Sequence, residues 1–432
     1  MSILLCIVLG INLVVAFRIF KDVFSPPILV GSGMFIASIV ALMHYDTWEM
    51  EKICLDTVIY IGGGTLFFTL SCMLFRKKIN YLLLLKERFD INYIKICTTR
   101  IRFLLLFLLI FGIVLVYFKF REYVSFFGRF ASISELLYQV RVEELFGENE
   151  FVLSPFVSIG SRIYWLLSLI IAYYFSVHLF SGKIDKSNVI LYISVLVINL
   201  VNFLFNGNKT GMFRCGVSYV VIFLFVFFKT HKINYKRSIL TYSLYALIIS
   251  IVLFFVTSTF IGRGVDNKYD LVSIYFGAEI KGFDIFLQKN QDVNYLWGKS
   301  TFYAITKHLH LQKSASTHAL DFEAVNNHNL GNVKTVFLHF YIDFGGIGLF
   351  IMTFLFAFLS MFVYNKYLHS FINPYKSNVW LFLYADTVLA LFMSFFSSNF
   401  FHVVTSFGFV INYVLLILFS YNFEKMFVKI YK

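Results

Sequence analysis

The 432-residue chain is 59% hydrophobic and only 14% charged, with a mean hydropathy of +0.77. A soluble domain of this length carries far more charge on its surface, so composition excludes a soluble enzyme and points to an all-α polytopic membrane protein. The net charge of +13 raises nucleic acid as a partner, but the placement of Lys and Arg assigns the charge to membrane topology and anionic lipid, with no nucleic acid expected.

The 5 cysteines are scattered without a CxxC pair, which excludes a disulfide framework and a zinc motif. The 4 prolines suit long, mostly unbroken helices. No basic region precedes the first apolar run and no small-residue cleavage site follows it, so Met1 to Phe17 reads as a span rather than a cleaved signal.

In chain order, runs of spanning length fall at 1–17, 27–43, 53–75, 103–118, 155–180, 188–205, 211–228, 239–261, 337–364, 379–397 and 403–421. The expectation is one transmembrane domain, 1–432, of about 11 helices. The connection 76–102 carries Arg76, Lys77, Lys78, Lys86, Arg88, Lys95, Arg100 and Arg102, so it is assigned to the cytoplasm. Alternation then puts the N-terminus outside, the C-terminus inside, and two long intervals, 119–154 and 262–334, outside. The first is acidic and aromatic, and Ile133 to Val140 within it suits a helix lying on the membrane surface. The second holds His308, His310, His318 and His328, and a polar interval of that length points to function rather than a simple connection.

Four cations sit at outer helix ends: Arg162, Lys209, Arg214 and Arg263, each with glycine close by. Guanidinium forks match phosphate oxygens and glycine lets a phosphate reach backbone N–H groups, so a diphosphate site is one reading. Snorkelling to the interface, or pairing with outer carboxylates, is the other. Asn199, Asn202 and Asn206 share one helix face; Asn199 suits helix–helix bonding and Asn206 a ligand. His308-Leu309-His310 is the arrangement of a metal pair on a strand edge, but nothing nearby completes a ligand set, and no metal is expected. His328, among amides just before a span, is the candidate catalytic base, while amide-rich turns also arise simply because Asn tolerates left-handed geometry. Asp343 pairs with an outer cation or binds acceptor hydroxyls, and Asp386 is expected to be paired within the bundle.

Two stretches carry a resemblance: Asn206 to Arg214, and Asn327-His328-x(3)-Asn332-Val333-x-Thr335 followed by Tyr341-x-Asp343-Phe344-Gly345-x-x-Gly348. With the span number and the late outer interval, they resemble the Wzy-type oligosaccharide repeat-unit polymerases, the O-antigen and capsule polymerases. This sequence has Lys209 where the family often has arginine, leaving the phosphate role open between Lys209 and Arg214. The resemblance implies a GT-C-like helix bundle and a metal-independent glycosyltransferase without cofactor in the bacterial plasma (inner) membrane. Such an enzyme transfers a growing glycan from undecaprenyl diphosphate to a lipid-linked repeat unit at the outer leaflet, with a flippase and a chain-length regulator as partners. The residue chemistry read beside it gives Arg162, Lys209, Arg214 and Arg263 as candidates for the diphosphate and His328 for the acceptor hydroxyl, and the two matched stretches add Asn206, Asn327, Asn332, Tyr341 and Asp343 for sugar or diphosphate. An O-antigen ligase-like transferase and a glycolipid flippase or transporter are the competing readings; a transporter is expected to show paired repeats and broken helices near the midplane.

Overall fold

The computed structural model describes residues 1–77, 94–128, 130, 132–146, 151–182, 184–206, 209–230, 273–289, 295–311, 323–332, 334–370 and 379–430. Over these residues the chain is a mostly helical multi-pass membrane protein, with 9 helices long and apolar enough to cross a membrane. The elements run in this order: α1 (Ser2–Phe20), α2 (Pro26–Met43), α3 (Leu55–Thr57, a π-helical turn Val58–Gly63, and Gly64–Phe75), β1 (Ile94–Ile96), α4 (Thr98–Phe127), α5 (Ile133–Phe146) and α6 (Pro155–Phe180). There follow α7 (Lys186–Leu204), α8 (Lys209–Thr230), α9 (Ala278–Lys289), α10 (Tyr303–His308), β2 (Glu323–Val325), β3 (His328–Gly331) and α11 (Val336–Ser370). The chain closes with α12 (Val379–Phe392), α13 (Asn399–Val404), α14 (Phe407–Phe427) and β4 (Val428–Ile430). The expected span 239–261 lies outside the described residues.

Local chemistry sets the helix ends. Pro26 and Pro27 open α2 behind an extended Ser25, where a missing N–H costs nothing. The Ser154 hydroxyl accepts from the Val157 N–H ahead of Pro155 and starts α6. Helix α4 runs on to Gly128, whose N–H reaches the Val124 carbonyl. The apolar run 103–118 underestimates this helix, because Lys119 and Glu122 extend it without interrupting it. Helix α1 shows how the spans divide their surface. Ile3, Ile7, Ile11 and Val14 face outward, whereas Leu5, Leu9, Asn12 and Ala16 are buried.

By packing, the chain divides into two compact units, each described by itself. Unit 1 comprises Met1–Lys78, Val265–Lys366 and Thr387–Val410. Its interior includes α2, α9 and the first part of α11, and it ties Asp22 to the Tyr364 hydroxyl at 2.6 Å. Unit 2 comprises Ile79–Gly264, Tyr367–Asp386 and Ile411–Lys432, with β1 pairing antiparallel to β4. In it α4, α6 and α7 meet at Gly112, where any side chain would strike Tyr164 and Ile198 at 2.6 Å. Asn199 of α7 ties that helix to α6 and α8, donating to Ser168 Oγ at 3.0 Å and the Tyr219 hydroxyl at 2.8 Å.

The 262–334 interval is not a bare loop. Helix α9 is built into the core of unit 1, with Ala278, Ile280 and Phe283 fully buried. A buried ion pair fixes it. Asp284 Oδ1 accepts from the Cys54 N–H and Thr57 Oγ1, both at 2.8 Å, and Oδ2 accepts from Lys281 Nζ at 3.1 Å and Gln288 Nε2 at 2.8 Å. A carboxylate with its acceptor sites filled in this way is one a protein interior tolerates.

Candidate active site

The expected site residues fall in both units, and each set is taken by itself. In unit 1 the organising feature is a break in α11. Gly345 has φ 71° and ψ −171°, a conformation open to glycine, and a side chain there would also meet the Tyr295 hydroxyl at 2.8 Å. Such a break frees carbonyls of the preceding turn. The Ile342 and Asp343 carbonyls accept instead from the N–H groups of Leu296 and Trp297, at 3.1 and 3.2 Å. The Asp343 side chain, fully buried, completes the seam: Oδ1 accepts from the Ser300 N–H at 3.0 Å and Oδ2 from the Thr301 N–H at 2.6 Å. Asp343 therefore holds the segment 295–301 against α11. Neither of its expected roles, pairing with an outer cation or binding an acceptor hydroxyl, is the one these bonds serve.

That seam carries a cluster the sequence reading missed. His339 lies one helical turn before Asp343, and its Nδ1 is 2.7 Å from Ser300 Oγ. The His402 ring, on the short helix α13, stands 6.3 Å from the His339 ring, centroid to centroid, and 6.0 Å from the Tyr303 ring. His402 Nε2 is 3.0 Å from Ser398 Oγ. Both imidazoles sit in apolar strings, Phe337-Leu338-His339-Phe340 and Phe400-Phe401-His402-Val403, the first inside the run 337–364 and the second just before the run 403–421. The four-residue spacing from His339 to Asp343 was the available signal. On the same turn ahead of the break, Tyr341 packs on Tyr60 with ring centroids 5.3 Å apart.

The other expected residues of unit 1 belong to a hairpin. β2 and β3 pair with Val325 opposite His328, leaving Asn326 and Asn327 as the turn, at φ 48° and 65°. Two consecutive left-handed residues define a type I′ turn, which accounts for both asparagines by backbone geometry. His328 is exposed, and its side chain has no hydrogen-bond partner among the described residues. Asn332 is half-buried just past the hairpin. Glu323 bridges Lys289 at 2.6 Å and Lys334 at 3.6 Å. His308 ends the six-residue helix α10 rather than sitting on a strand edge, and His310 follows in a left-handed turn at φ 54°, so the strand geometry of a metal pair is not formed.

Unit 2 holds the cations. Arg214 makes a bidentate pair with Asp386 and lies over the Trp165 ring, 5.2 Å from its centroid. Arg162 is exposed and has no ionic partner among the described residues. Lys209 opens α8. Arg263 lies outside the described residues. Lys119, read from sequence as the start of a connection, is instead a buried ammonium near the end of α4. Its Nζ donates to the Asn202 carbonyl at 3.0 Å, Asn202 Oδ1 at 2.7 Å and Asn206 Oδ1 at 2.8 Å. With one lone pair of its amide oxygen taken by Lys119, Asn206 keeps its NH2 donors and one further lone pair for an external ligand.

One buried carboxyl stands apart from these networks. Glu279 in α9 is 1% exposed, and neither of its oxygens has a hydrogen-bond partner among the described residues. Burial pushes its pKa well above the usual 4.5. In the unfolded chain the group ionises near 4.5, while in the fold burial moves its ionisation to higher pH; this contribution to stability is therefore present at low pH and is lost as pH rises past 4.5. Glu279→Gln is expected to flatten that slope, at about 1.4 kcal/mol per pH unit, and to raise the melting temperature at neutral pH. Melting curves of both proteins from pH 4 to 8 check this, and parallel curves would place the pH sensitivity elsewhere.

No protein-family model, no curated protein and no solved structure matches the chain.

Proposed function

We propose that the chain is an oligosaccharide repeat-unit polymerase of the bacterial plasma membrane, moving a growing glycan from undecaprenyl diphosphate onto a lipid-linked repeat unit at the outer face. The observation that carries this reading is the fold of the motif Tyr341 to Gly348. Its aspartate and its glycine break build a seam that gathers Ser300, His339, His402 and Tyr303. A donor used outside the cytoplasm must bring its own activated bond, and a lipid diphosphate is one. Cations stabilise the departing diphosphate charge and an imidazole takes the acceptor proton. Arg162, Lys209, Arg214 and Arg263 are the cations proposed for the first task, and the Asn206 amide is proposed to donate to the same ligand.

The test uses the full chain in proteoliposomes with lipid-linked repeat units extracted from the cognate strain. A ladder of lipid-linked oligomers is expected without any nucleotide sugar and in the presence of chelator. Transfer of single units to a different acceptor would favour a ligase, and passage of unmodified lipid between leaflets a flippase. Among loop histidines, His328→Ala is expected to lower polymer yield more than His308→Ala or His310→Ala; equal, mild losses would leave His328 as a hairpin residue only.

A further inference from the structure

We infer that the exposed aromatic patch of unit 1, formed by Asp56, Tyr60, Tyr295, Trp297 and Tyr341, is a carbohydrate-binding platform for the oligosaccharide of the lipid-linked substrate. The identity of that oligosaccharide rests on the polymerase reading above, which the platform deepens.

All five residues belong to unit 1. Asp56 stands in the first turn of α3, and Tyr60 follows one turn later on the same face. The Tyr60 and Tyr341 rings pack with centroids 5.3 Å apart, and both residues are half-buried. Tyr295 comes from the segment docked on α11. Its hydroxyl lies 2.8 Å from the point where a Gly345 side chain would begin, and the Tyr60 hydroxyl lies 2.5 Å from the same point on Gly346. The two consecutive glycines of the motif therefore make room for two phenols. The Asp56 carboxylate and the Tyr295 phenol both act electrostatically on Tyr60 and on Tyr341, so the four groups form one cluster.

The free valences of this cluster match a sugar. Among the described residues, the hydroxyls of Tyr60, Tyr295 and Tyr341 make no hydrogen bond, and the exposed Asp56 side chain makes neither a hydrogen bond nor an ion pair. Phenols donate and accept, and a carboxylate accepts from two hydroxyls at once. The rings add flat apolar surface for the C–H face of a pyranose, and ligand sites commonly combine such surface with a few polar groups. An unpaired carboxylate repels a lipid phosphate, so charge selects a glycan over a phospholipid headgroup as the occupant.

Trp297 points to a ligand independently. Residues 296–299 form a tight turn closed by the Lys299 N–H on the Leu296 carbonyl at 3.2 Å, with φ 50° at Trp297 and 87° at Gly298. These are the angles of a type I′ turn, whose first central position usually holds Asn, Asp or Gly. A tryptophan there is strained, and with 78% of the residue exposed its ring buries little in return. Tyr295, two residues earlier, is 48% exposed. The fold gains nothing from holding two large rings in the open, whereas a ligand gains rigid contact area at low entropic cost.

The experiment titrates the full chain in detergent with the oligosaccharide released by mild acid from the cognate repeat-unit lipid, and reads Kd by calorimetry. Saturable binding is expected, with a blue shift of tryptophan fluorescence that disappears in Trp297→Asn. Asparagine suits the left-handed turn, so this variant is expected to melt at or above the wild type while its Kd rises about ten-fold or more. Asp56→Asn keeps the shape of the side chain and is expected to weaken binding in the same direction. Folded variants that both bind within about two-fold of wild type would overturn the platform, as would a wild type without saturable binding. Sugar-free phosphatidylglycerol vesicles are the rival probe: variants that bind the oligosaccharide normally but lose vesicle affinity would make the patch a membrane-interface anchor and overturn the inference. The proteoliposome assay separates the two readings. A ladder of oligomers without oligosaccharide binding would leave the polymerase standing and remove the platform, and binding without a ladder would do the reverse.

Discussion

Asp343→Ala is expected to release residues 295–301 from the helix and to abolish polymer formation. The carboxylate is fully buried and accepts two backbone N–H bonds, from Ser300 and Thr301. Hydrogen bonds to a charged group contribute roughly 1.5–3 kcal/mol each, and their loss leaves two donors without partners, so a destabilisation of roughly 3–5 kcal/mol is expected. Asp343→Asn is not a mild substitute. Its amide offers one acceptor and turns an NH2 group toward the second N–H, so one bond survives and the other becomes a clash of donors. Hydrogen exchange separates this account from a general loss of fold: the Ser300 and Thr301 amides should lose protection first, while those of α6 and α7 keep theirs. Uniform loss across the molecule would mean that the aspartate supports the whole unit rather than the seam, and unchanged protection at 300 and 301 would remove it from the seam altogether.

What the sequence discloses follows from the range of the interactions involved. The span Pro155–Phe180 emerges with the bounds its hydropathy predicts, because length and apolarity alone decide whether a helix of that kind forms. The Asn199 face is legible for the same reason, since helical spacing is local. Hydropathy fails at Lys119, because a helix ends where its hydrogen bonding ends, at Gly128, and not where its apolar composition does. The Asn326-Asn327 turn is written in two adjacent residues, yet its amides are easily taken for ligands because the same residue type serves both purposes. Asp343 is marked by its motif, but its partners lie some forty positions earlier, and no local pattern joins them. The same holds for His339 and His402. Their significance comes from a ring-to-ring approach across the fold, whereas their sequence neighbours are phenylalanine, leucine and valine.

The second large effect concerns Arg214. Its side chain is 27% exposed, while that of Asp386, which it grips, is 3% exposed. Arg214→Ala strands that carboxylate in the interior, and breaking a buried pair in this way costs about 3–5 kcal/mol. Loss of polymer in the single variant therefore has two causes, a weakened fold and a missing phosphate ligand. Replacing both partners by apolar residues of similar size, Arg214→Met with Asp386→Leu, removes the stranded charge, and such replacements are commonly neutral or stabilising. The Trp165 ring beneath the guanidinium offers an apolar surface for the methionine. The expected result is a double variant that melts like the wild type but makes no long glycan. The reason lies in the bonding: Nε and Nη2 serve Asp386, and Nη1 is the nitrogen proposed to meet a diphosphate oxygen. Arg214→Lys is expected to fall between the two, since a lysine holds Asp386 by charge but cannot serve it and the phosphate with a planar fork. Full-length polymer from the double variant would show that the pair is structural alone, and the diphosphate site would then rest on Arg162, Lys209 and Arg263.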